Sequence, residues 1–384
     1  TMIGQSYDAQ AREGYAGNAT VFRCIRMRAQ ACASIPWLLY SDRTKRREIE
    51  SHPLLDLLAR PNENDPASVL VENLSAYLDL CGNAYLYAPP VTDHHPMELY
   101  VLRSGSVTPV WTSQGLTHYQ YALDDGTVQN IAPQDVMHLK LWNPLDPRVG
   151  LSPLSAAALN VAAKNEAARW NFAVLKHGGR TSGVLSTDSK LTKDQREALK
   201  SDWREKHAGS GNAGKLMVLE SGLHWERTGL TPQDMDFLNA MKWNTREICQ
   251  VFDTPPQLLG DKDAATYANY QEARKAFYME GVLPRMNFIR DAIELWLVPK
   301  FDRTRRLFLD YDKDGIDALQ ENRTELWRRI RDATWLTINE KRAATGYDDV
   351  GPDGDVVLVP AAQLPLGSDD ELAEAKKAPI GEEE

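Results

Sequence analysis

The segment DMDFLNAMKWNTREICQVFDTPPQLLGDKDAATYANYQEARKAFYMEGVLP, residues 234–284, decides how this chain folds. Its first half predicts a helix, because apolar residues recur on one face at Phe237, Met241, Ile248 and Phe252. Pro255-Pro256 ends this helix, since proline lacks a backbone N–H and moves the preceding residue out of the α region. A polar loop, Gly260–Thr266, leads into a second long helix that Gly281 and Pro284 interrupt. The segment therefore predicts two long helices, joined by a polar loop, with a kink in the second.

The composition is ordinary for a soluble globular protein. The chain has 384 residues, of which 42% are hydrophobic and 26% charged, enough for two or three cores. No apolar run approaches the roughly 18 residues of a membrane span, and no signal peptide opens the sequence. The formal net charge is −10, whereas proteins that hold nucleic acid tightly usually present a basic face. The composition argues against both a membrane protein and a tight DNA binder.

The cysteines predict buried thiols. None of the four shows CxxC spacing or a histidine partner, and all lie within apolar patterns: Cys24, Cys32, Cys81 and Cys249. This arrangement favours a reducing cytoplasm over a disulfide framework or a zinc site.

The region before the decisive segment is predicted to be α+β. Helices are expected from Val21 to the stop at Pro36, at Leu54–Leu58, and after Asp65-Pro66, where Asp65 would cap and Pro66 would take the first helical position. Alternating patterns then predict strands at Trp37–Tyr40, Ala84–Ala88, Leu99–Arg103, Val107–Trp111, Tyr119–Leu123 and Val136–Leu141, with a hairpin turn at Asp124–Gly126.

The remaining elements are mostly helical. A long helix capped by Ser152 is expected to run to His177, where Gly178-Gly179 ends it. A compact segment follows, with strands at Gly183–Leu185, Lys215–Leu219 and Leu223–Arg227 around a helix at Thr192–Lys206. One more strand, Arg306–Tyr311, precedes helices at Ile316–Arg331 and Thr337–Ala344; Thr337 and Glu340 form a capping box in the last of these. Residues 361–384 predict an acidic, solvated tail.

Gly209–Lys215 resembles a phosphate-binding loop. It matches the GxxxxGK pattern, but Leu216 stands where a magnesium-binding Ser or Thr belongs. The predicted order is helix, loop, strand, whereas a phosphate loop needs strand, loop, helix. A tight glycine turn is the favoured interpretation, and an ATP-dependent motor component stays as an alternative that an ATPase assay would test.

Asp310–Glu321 fits the spacing of a calcium loop, with Asp312, Asp314 and Gly315 at the required positions. A predicted strand rather than a helix enters it, and Asp317 stands at a position that is usually aliphatic. A strand-to-helix turn is favoured, because acidic residues suit a helix N-terminus. A calcium-binding adaptor remains the second alternative.

No catalytic set is visible in the sequence. It has no GxSxG elbow, no HExxH and no dinucleotide fingerprint. His94-His95 precede a proline in a polar turn and are interpreted as surface residues. Several tryptophans lie on predicted helical faces and favour core or subunit-interface positions: Trp203, Trp243, Trp296, Trp327 and Trp335. The sequence predicts neither an enzyme nor a cofactor or metal site.

An ordered set of short motifs resembles the portal (head–tail connector) proteins of tailed double-stranded DNA bacteriophages. The motifs are Leu80–Tyr85 (LCGNAY), Asp135–Lys140 (DVMHLK), Gly150–Leu154 (GLSPL), Gly211–Lys215 (GNAGK), Ile248–Gly260 (ICQVFDTPPQLLG) and Leu336–Glu340 (LTINE), the last followed by Arg342 and Gly346. The resemblance extends from about Val21 to Pro360. Asp253-Thr254 departs from it, because Gly-Val is expected before the double proline.

The resemblance implies a multidomain α+β portal-type fold. The parts are a wing at 1–150 completed by a strand near 305–312, stem helices at 151–178 and 232–253, a clip at 179–231, a tunnel loop with a kinked helix at 254–300, a crown at 313–360, and the acidic tail at 361–384. It further implies a ring of twelve subunits at one capsid vertex of the virion, assembled in the host cytoplasm. Double-stranded DNA would pass through the ring during packaging and ejection.

The resemblance also implies partners and sites. The partners are the terminase large subunit, a head–tail adaptor and the major capsid protein, with no membrane. The clip would dock terminase and then the adaptor through Lys193, Arg196, Lys200, Arg204 and Lys206. The tunnel loop would comprise Gly260, Asp261, Lys262, Asp263, Ala264, Ala265 and Thr266. In it, Lys262 is expected to make a weak, sequence-independent phosphate contact; a solvated lysine without a role is the alternative.

Overall fold

The structure is a computed structural model that describes residues 6–358 except 43–46, 92–94, 177–182, 188–191, 199–200, 202–222, 228–236, 261–266, 303, 305, 321–322, 346 and 348–349. Residues up to Ala318 form one compact unit and those from Leu319 a second. The helices are α1 Tyr7–Ala9, α2 Ala19–Ala33, α3 Pro53–Ala59, α4 Ala67–Cys81, α5 Pro153–Ala156, α6 Ala158–Lys176, α7 at 193–198, α8 Phe237–Val251, α9 Tyr267–Ala276, α10 Leu283–Trp296, α11 Val298–Phe301, α12 Arg323–Asp332 and α13 Ile338–Ala344.

The strands form four small antiparallel sheets within the described residues. They are β1 Trp37–Tyr40, β2 Asn83–Tyr87, β3 Tyr100–Leu102, β4 Val107–Thr112, β5 Gly115–Ala122, β6 Val128–Ile131, β7 Val136–Lys140, β8 Gly183–Thr187, β9 Leu223–Arg227 and β10 Phe308–Tyr311. The sheet orders are β1-β10, β3-β2-β7, β4-β5-β6 and β8-β9. The mixed α+β class predicted from the sequence is confirmed.

The helical core lies where α2, α4, α5, α6 and α8 meet. It contains Val21, Cys24, Ile25, Leu154, Val161, Ile248, Cys249 and Phe252. Of the face predicted for α8, Ile248 and Phe252 are buried and Met241 is half-buried. Burial raises the pKa of Cys32 to about 11, and the four cysteines are free thiols. Within the described residues, no helix is both long and apolar enough to span a bilayer.

The two three-stranded sheets share an apolar cluster of Tyr85, Leu102, Val107, Tyr119, Ile131 and Val136. His138 of β7 lies beside this cluster. Its ring stacks on Tyr85 with 4.3 Å between centroids, and its Nε2 is 3.0 Å from Asn83 Oδ1. Burial, and next the charge of Lys140, lowers the pKa of His138 to about 4. This histidine is therefore neutral at pH 7.

Strands β1 and β10 join the two ends of the first unit. Trp37 pairs with Tyr311 and Tyr40 with Phe308. Asp310 on β10 is buried, and Arg290 Nη1 donates to its Oδ1 at 3.3 Å. The strand predicted at Arg306–Tyr311 is confirmed, although it begins at Phe308.

In the second unit, α13 begins with the predicted capping box. The Thr337 N–H donates to Glu340 Oε2 at 2.9 Å, and the Glu340 N–H donates to Thr337 Oγ1 at 3.2 Å. Asn339 fixes the chain that follows, because its Nδ2 donates to the Gly351 carbonyl and to Asp355 Oδ1.

Two predicted helix starts are wrong. Helix α4 begins at Ala67, with Pro66 as the extended N-cap residue and no side-chain cap hydrogen bond. The Asp65 carboxylate instead accepts from Asn62 Nδ2 at 3.1 Å. The helix predicted from Ile316 is absent at 316–320, where the chain forms turns. Immediately before these residues, Asp312 Oδ1 accepts from the N–H groups of Asp314 and Gly315, and such local bonds favour a turn over a helix.

The structure also revises two longer elements. Ser152 caps α5 as predicted, accepting from the Ser155 N–H, but the helix is interrupted at Ala157 before α6 begins. Strand β6 was not predicted, since three of its four residues are exposed and polar positions obscure the alternation. The hairpin turn before it is confirmed, with Gly126 at φ 84°.

Candidate functional site at the end of helix α8

Helix α8 ends in a tight turn at Asp253. The Asp253 N–H donates to the Gln250 carbonyl at 3.1 Å, and the Thr254 N–H donates to the Cys249 carbonyl at 2.9 Å. Asp253 has φ 48°, in the left-handed region. Pro255 then redirects the chain into a 3₁₀ helix, Pro256–Leu259, which ends at Gly260 with φ 93°. We call Asp253–Gly260 the turn segment.

The left-handed backbone at residue 253 suits the glycine expected there, and it also admits the aspartate that this chain has. Aspartate is among the few residues besides glycine that adopt positive φ readily, because its short polar side chain bonds locally. The same side chain makes an ion pair that glycine could not make: Arg28 Nη1 donates to Asp253 Oδ2 at 3.1 Å.

Arg28 belongs to a buried network of four charged side chains, drawn from α2, α4, α10 and the turn segment. Arg28 Nε donates to Asp79 Oδ2 at 2.9 Å, and Arg28 Nη2 donates to Asp79 Oδ1. Arg285 Nη2 donates to Asp79 Oδ1 at 2.7 Å. The Asp79 side chain is 0% exposed and that of Arg28 3%, whereas Asp253 is 56% exposed. We call these four residues the arginine–aspartate network.

The charges in this network balance, which allows them to be buried. Burial is the largest influence on Arg28 and favours its neutral form, but Asp79 and then Asp253 outweigh it and raise the pKa of Arg28. Burial lowers the pKa of Arg285, only partly opposed by Asp79. Arg285 Nη1 has no hydrogen-bond partner in the described part of the chain. Asp79 is therefore the acceptor on which both guanidinium groups depend.

A π-helical turn, Phe277–Val282, packs against the turn segment and interrupts the second long helix. The break predicted near Gly281 is thus present, but its cause differs from the one predicted. The helix continues through Pro284, which lies in the first turn of α10, where a missing N–H is tolerated. Gly281 is required because a Cβ there would lie 2.9 Å from the Asp253 carbonyl oxygen.

We expect Gly281→Ala to lower the free energy of unfolding by about 1–3 kcal/mol, because the added methyl group would displace backbone at Asp253. Chemical denaturation would measure the change. An unchanged free energy of unfolding in Gly281→Ala would contradict the close approach of the two backbones.

Helix α6 packs against α8. Lys164 Nζ donates to Thr245 Oγ1 at 2.6 Å and to Thr20 Oγ1, so one ammonium group joins α6 to both α8 and α2. Burial lowers the pKa of Lys164.

The structure describes only part of each predicted site. In the predicted tunnel loop, Gly260 is described and exposed, and Asp261–Thr266 lie outside the described residues. In the predicted clip, Lys193 and Arg196 are exposed on α7, and Thr192 and Gln195 cap its start with reciprocal hydrogen bonds. The remaining clip residues lie outside the described ranges: Lys200, Arg204 and Lys206.

The two alternative motifs gain no support from the described residues. Gly209–Lys215 lies outside them. Asp310, the first position of the calcium pattern, is a buried strand residue bonded to Arg290. Across the described ranges, no cluster of three or more His, Cys, Asp or Glu side chains is placed to hold a metal ion.

Sequence reasoning missed the arginine–aspartate network. Its one local signal is a charged residue on an apolar helical face: Arg28 follows Val21 and Ile25 at helical spacing. Its partners stand 51 and 225 residues away, so periodicity could not identify them.

A family model described as "Phage portal protein" matches residues 19–346. An uncharacterized protein of Rickettsia bellii is 35% identical over 351 residues, covering 89% of this chain and 90% of that protein. The portal protein of Enterobacteria phage HK97 is 26% identical over 359 residues, covering 91% of this chain and 82% of that protein.

Solved structures show the same architecture. A chain from the neck of an empty gene transfer agent (GTA) particle, computed with C6 symmetry, has a TM-score of 0.68 at 36% identity and covers 89% of this chain and 93% of its own. The neck of a native GTA particle, computed with C12 symmetry, gives 0.66 at 34% identity with the same coverage. An HK97-family phage portal protein from Corynebacterium diphtheriae gives 0.60 at 12% identity, covering 81% of this chain and 96% of its own.

Proposed function

This chain belongs to the phage portal protein family, and we propose that twelve copies of it form the ring through which double-stranded DNA enters and leaves a virus particle. The observation that carries the proposal is the likeness, at 34% identity, to a chain of a particle neck with C12 symmetry. Proteins of this family are structural components of the virion's portal vertex rather than enzymes. Assembly of the ring in the host cytoplasm is part of the proposal.

Exposed apolar side chains support a larger assembly. Several lie open on the single chain, including Trp142, Leu145, Phe172, Trp243, Leu295 and Trp335, each more than 60% exposed. Large exposed apolar groups mark interaction surfaces. Neighbouring subunits of a ring would cover them, which for Trp243 and Trp335 favours the subunit-interface alternative over a core position.

Imaging of the purified protein tests the ring directly. We expect negative-stain images to show rings with a central hole. A chain that stayed monomeric at high concentration, and also when its particle proteins are co-expressed, would contradict the proposal.

Two further assays on the same preparation address the alternatives. An ATPase assay tests the phosphate-loop alternative, and we expect it to show no ATP turnover. Calorimetric titration with calcium tests the calcium-binding adaptor alternative.

The net charge suits a conduit. Each lysine or arginine that neutralises a phosphate adds salt-dependent affinity, and a channel with many such contacts would hold DNA rather than let it slide. A formal net charge of −10 keeps this affinity low. We propose that the tunnel loop Gly260–Thr266 is the part that meets DNA.

Within this loop we propose that Lys262 makes a weak phosphate contact on each subunit. We expect Lys262→Ala to change the amount of DNA packaged per particle by less than about twofold, and Lys262→Glu to reduce it several-fold, since twelve added carboxylates would repel the phosphates. Quantifying protected DNA in purified particles measures both. A wild-type amount of packaged DNA in the Lys262→Glu variant would overturn the proposed contact. Lys275→Glu is the control, because Lys275 is an exposed lysine of α9 outside the loop, and its reversal should leave packaging unchanged.

The clip is proposed as the docking surface for the terminase large subunit and then for a head–tail adaptor. Its support is the exposure of Lys193 and Arg196 on one turn of α7 and the basic character of the residues that follow. The major capsid protein is the third proposed partner.

The particle is proposed to be of the gene-transfer-agent kind. Identity to chains of GTA particles is 34–36%, against 26% for the HK97 portal protein. Sequencing the DNA protected inside purified particles would test this: random fragments of host DNA support a gene transfer agent, and one uniform viral genome contradicts it.

A further inference from the structure

Residue 253 has an unusual backbone and is held from two sides. In the described part of the chain, Asp253 is the one non-glycine residue with positive φ. A side chain in this region costs about 1 kcal/mol or more relative to glycine, so its surroundings must maintain it. The Asp253 carbonyl lies against Gly281, and its carboxylate bonds to Arg28.

Arg28 is a fixed donor because Asp79 occupies the other side of its guanidinium group. Arg28 Nε and Nη2 donate to the two oxygens of the Asp79 carboxylate. Such a bidentate arginine–carboxylate contact fixes the plane of the guanidinium group. Both side chains are almost completely buried. The free edge, Nη1, therefore points in one direction, toward the end of α8.

We propose that Arg28 is a positioning residue of the channel: aligned by Asp79, it holds Asp253 in the left-handed conformation and so sets the direction in which the chain leaves α8. The turn segment Asp253–Gly260 takes its course from this bond. The proposal deepens the proposed function and rests on it for the connection to DNA. The bond itself is a property of the subunit.

The partial exposure of Asp253 separates positioning from general stability. An ion pair in which one partner is half-exposed contributes little to global unfolding, but it can still select one local conformation over others. Removing the Asp253 carboxylate should thus loosen the turn segment and leave the rest of the fold unchanged.

Hydrogen exchange of the full-length protein tests this. In Asp253→Asn and Asp253→Gly we expect the amides of Thr254, Leu258 and Gly260 to exchange at least about fivefold faster. The N–H groups of Leu258 and Gly260 bond within the turn segment, and that of Thr254 bonds back to the Cys249 carbonyl of α8. Asparagine keeps the tendency toward positive φ, and glycine adopts it freely. The two variants therefore remove the carboxylate without adding backbone strain.

The controls make the result specific. Amides of β2 and the melting temperature should stay at wild-type values, which a general loss of stability would not allow. Arg148→Ala removes an exposed ion pair to Asp146 and should leave exchange in the turn segment unchanged. Wild-type exchange rates in both Asp253 variants would overturn the proposal, because backbone packing would then hold the turn without Arg28.

A second variant addresses Arg28 itself. Arg28→Lys keeps the charge but cannot contact Asp79 with two donors and Asp253 with a third, so we expect it to accelerate exchange to a similar extent. Because exchange needs no DNA, a negative result would remove the positioning role and leave the ring proposal standing. If the wild-type protein formed no rings, the ring proposal would fail and the positioning role of Arg28 would remain.

Discussion

Asp79→Asn is expected to lower the free energy of unfolding by about 3–5 kcal/mol, since breaking a buried ion pair leaves an uncompensated charge. Asp79 is 0% exposed and accepts hydrogen bonds from both Arg28 and Arg285. Asparagine preserves the shape but leaves the buried Arg285 without its carboxylate partner and Arg28 with only the half-exposed Asp253. Urea denaturation at one fixed protein concentration measures the loss, because assembly would otherwise add to the apparent stability.

Asp146→Asn is the matched control for Asp79. Asp146 also pairs with an arginine, Arg148 at 2.9 Å, but both side chains are solvent-accessible. We expect a loss below about 1 kcal/mol there. If Asp79→Asn does not fold, the double variant with Arg285→Leu should recover part of the stability, because it removes the buried guanidinium that has lost its carboxylate partner. Similar losses at Asp79 and Asp146 would contradict the importance of burial.

Acidification is expected to destabilise the protein through His138. The pKa of His138 is about 4 in the folded protein, against an ordinary value of 6.5 that applies to the unfolded chain. Between these two pH values the unfolded state therefore binds more protons than the folded state. The contribution of neutral His138 to the free energy of unfolding is fully present above pH 6.5 and is lost as the pH falls toward 4. The difference corresponds to at most about 3 kcal/mol, and a series of denaturation curves from pH 7 to pH 4 would reveal it.

Two variants isolate this effect from the carboxylates that titrate in the same range. His138→Gln should reduce the loss between pH 6.5 and 4, because glutamine carries no titrating group. His95→Gln should retain the full loss, since His95 is exposed and stacks on Phe301 at the surface. An unchanged pH profile in His138→Gln would show that His138 does not contribute.

The arginine–aspartate network and the turn segment lie directly before the loop that is proposed to meet DNA. The predicted channel loop begins at Gly260, immediately after residues whose course depends on Asp253. The two variants at Asp253, the charge change at Lys262 and the substitution at Gly281 probe neighbouring parts of this region. Each has a different expected readout: local exchange, packaged DNA and global stability.

Much of the local structure could be read from the sequence. Pro255-Pro256 ended α8, Gly82 ended α4 with φ 75°, and Thr337 with Glu340 began α13. These features depend on neighbouring residues alone, because caps, prolines and glycines act within a single turn. The order of six short motifs was sufficient to indicate the family.

Only the tertiary structure decided which distant groups meet. Strand β1 pairs with β10, and Arg28 finds Asp79 and Asp253 across gaps of 51 and 225 residues. A helical pattern shows that Arg28 lies on a buried face, but partners are chosen by packing, since a buried charge is stable only beside its counter-charge. The sequence thus determined the helix ends that a proline, a glycine or a capping box marks, and the packing of α2, α4 and α10 determined which charged groups meet beside the end of α8.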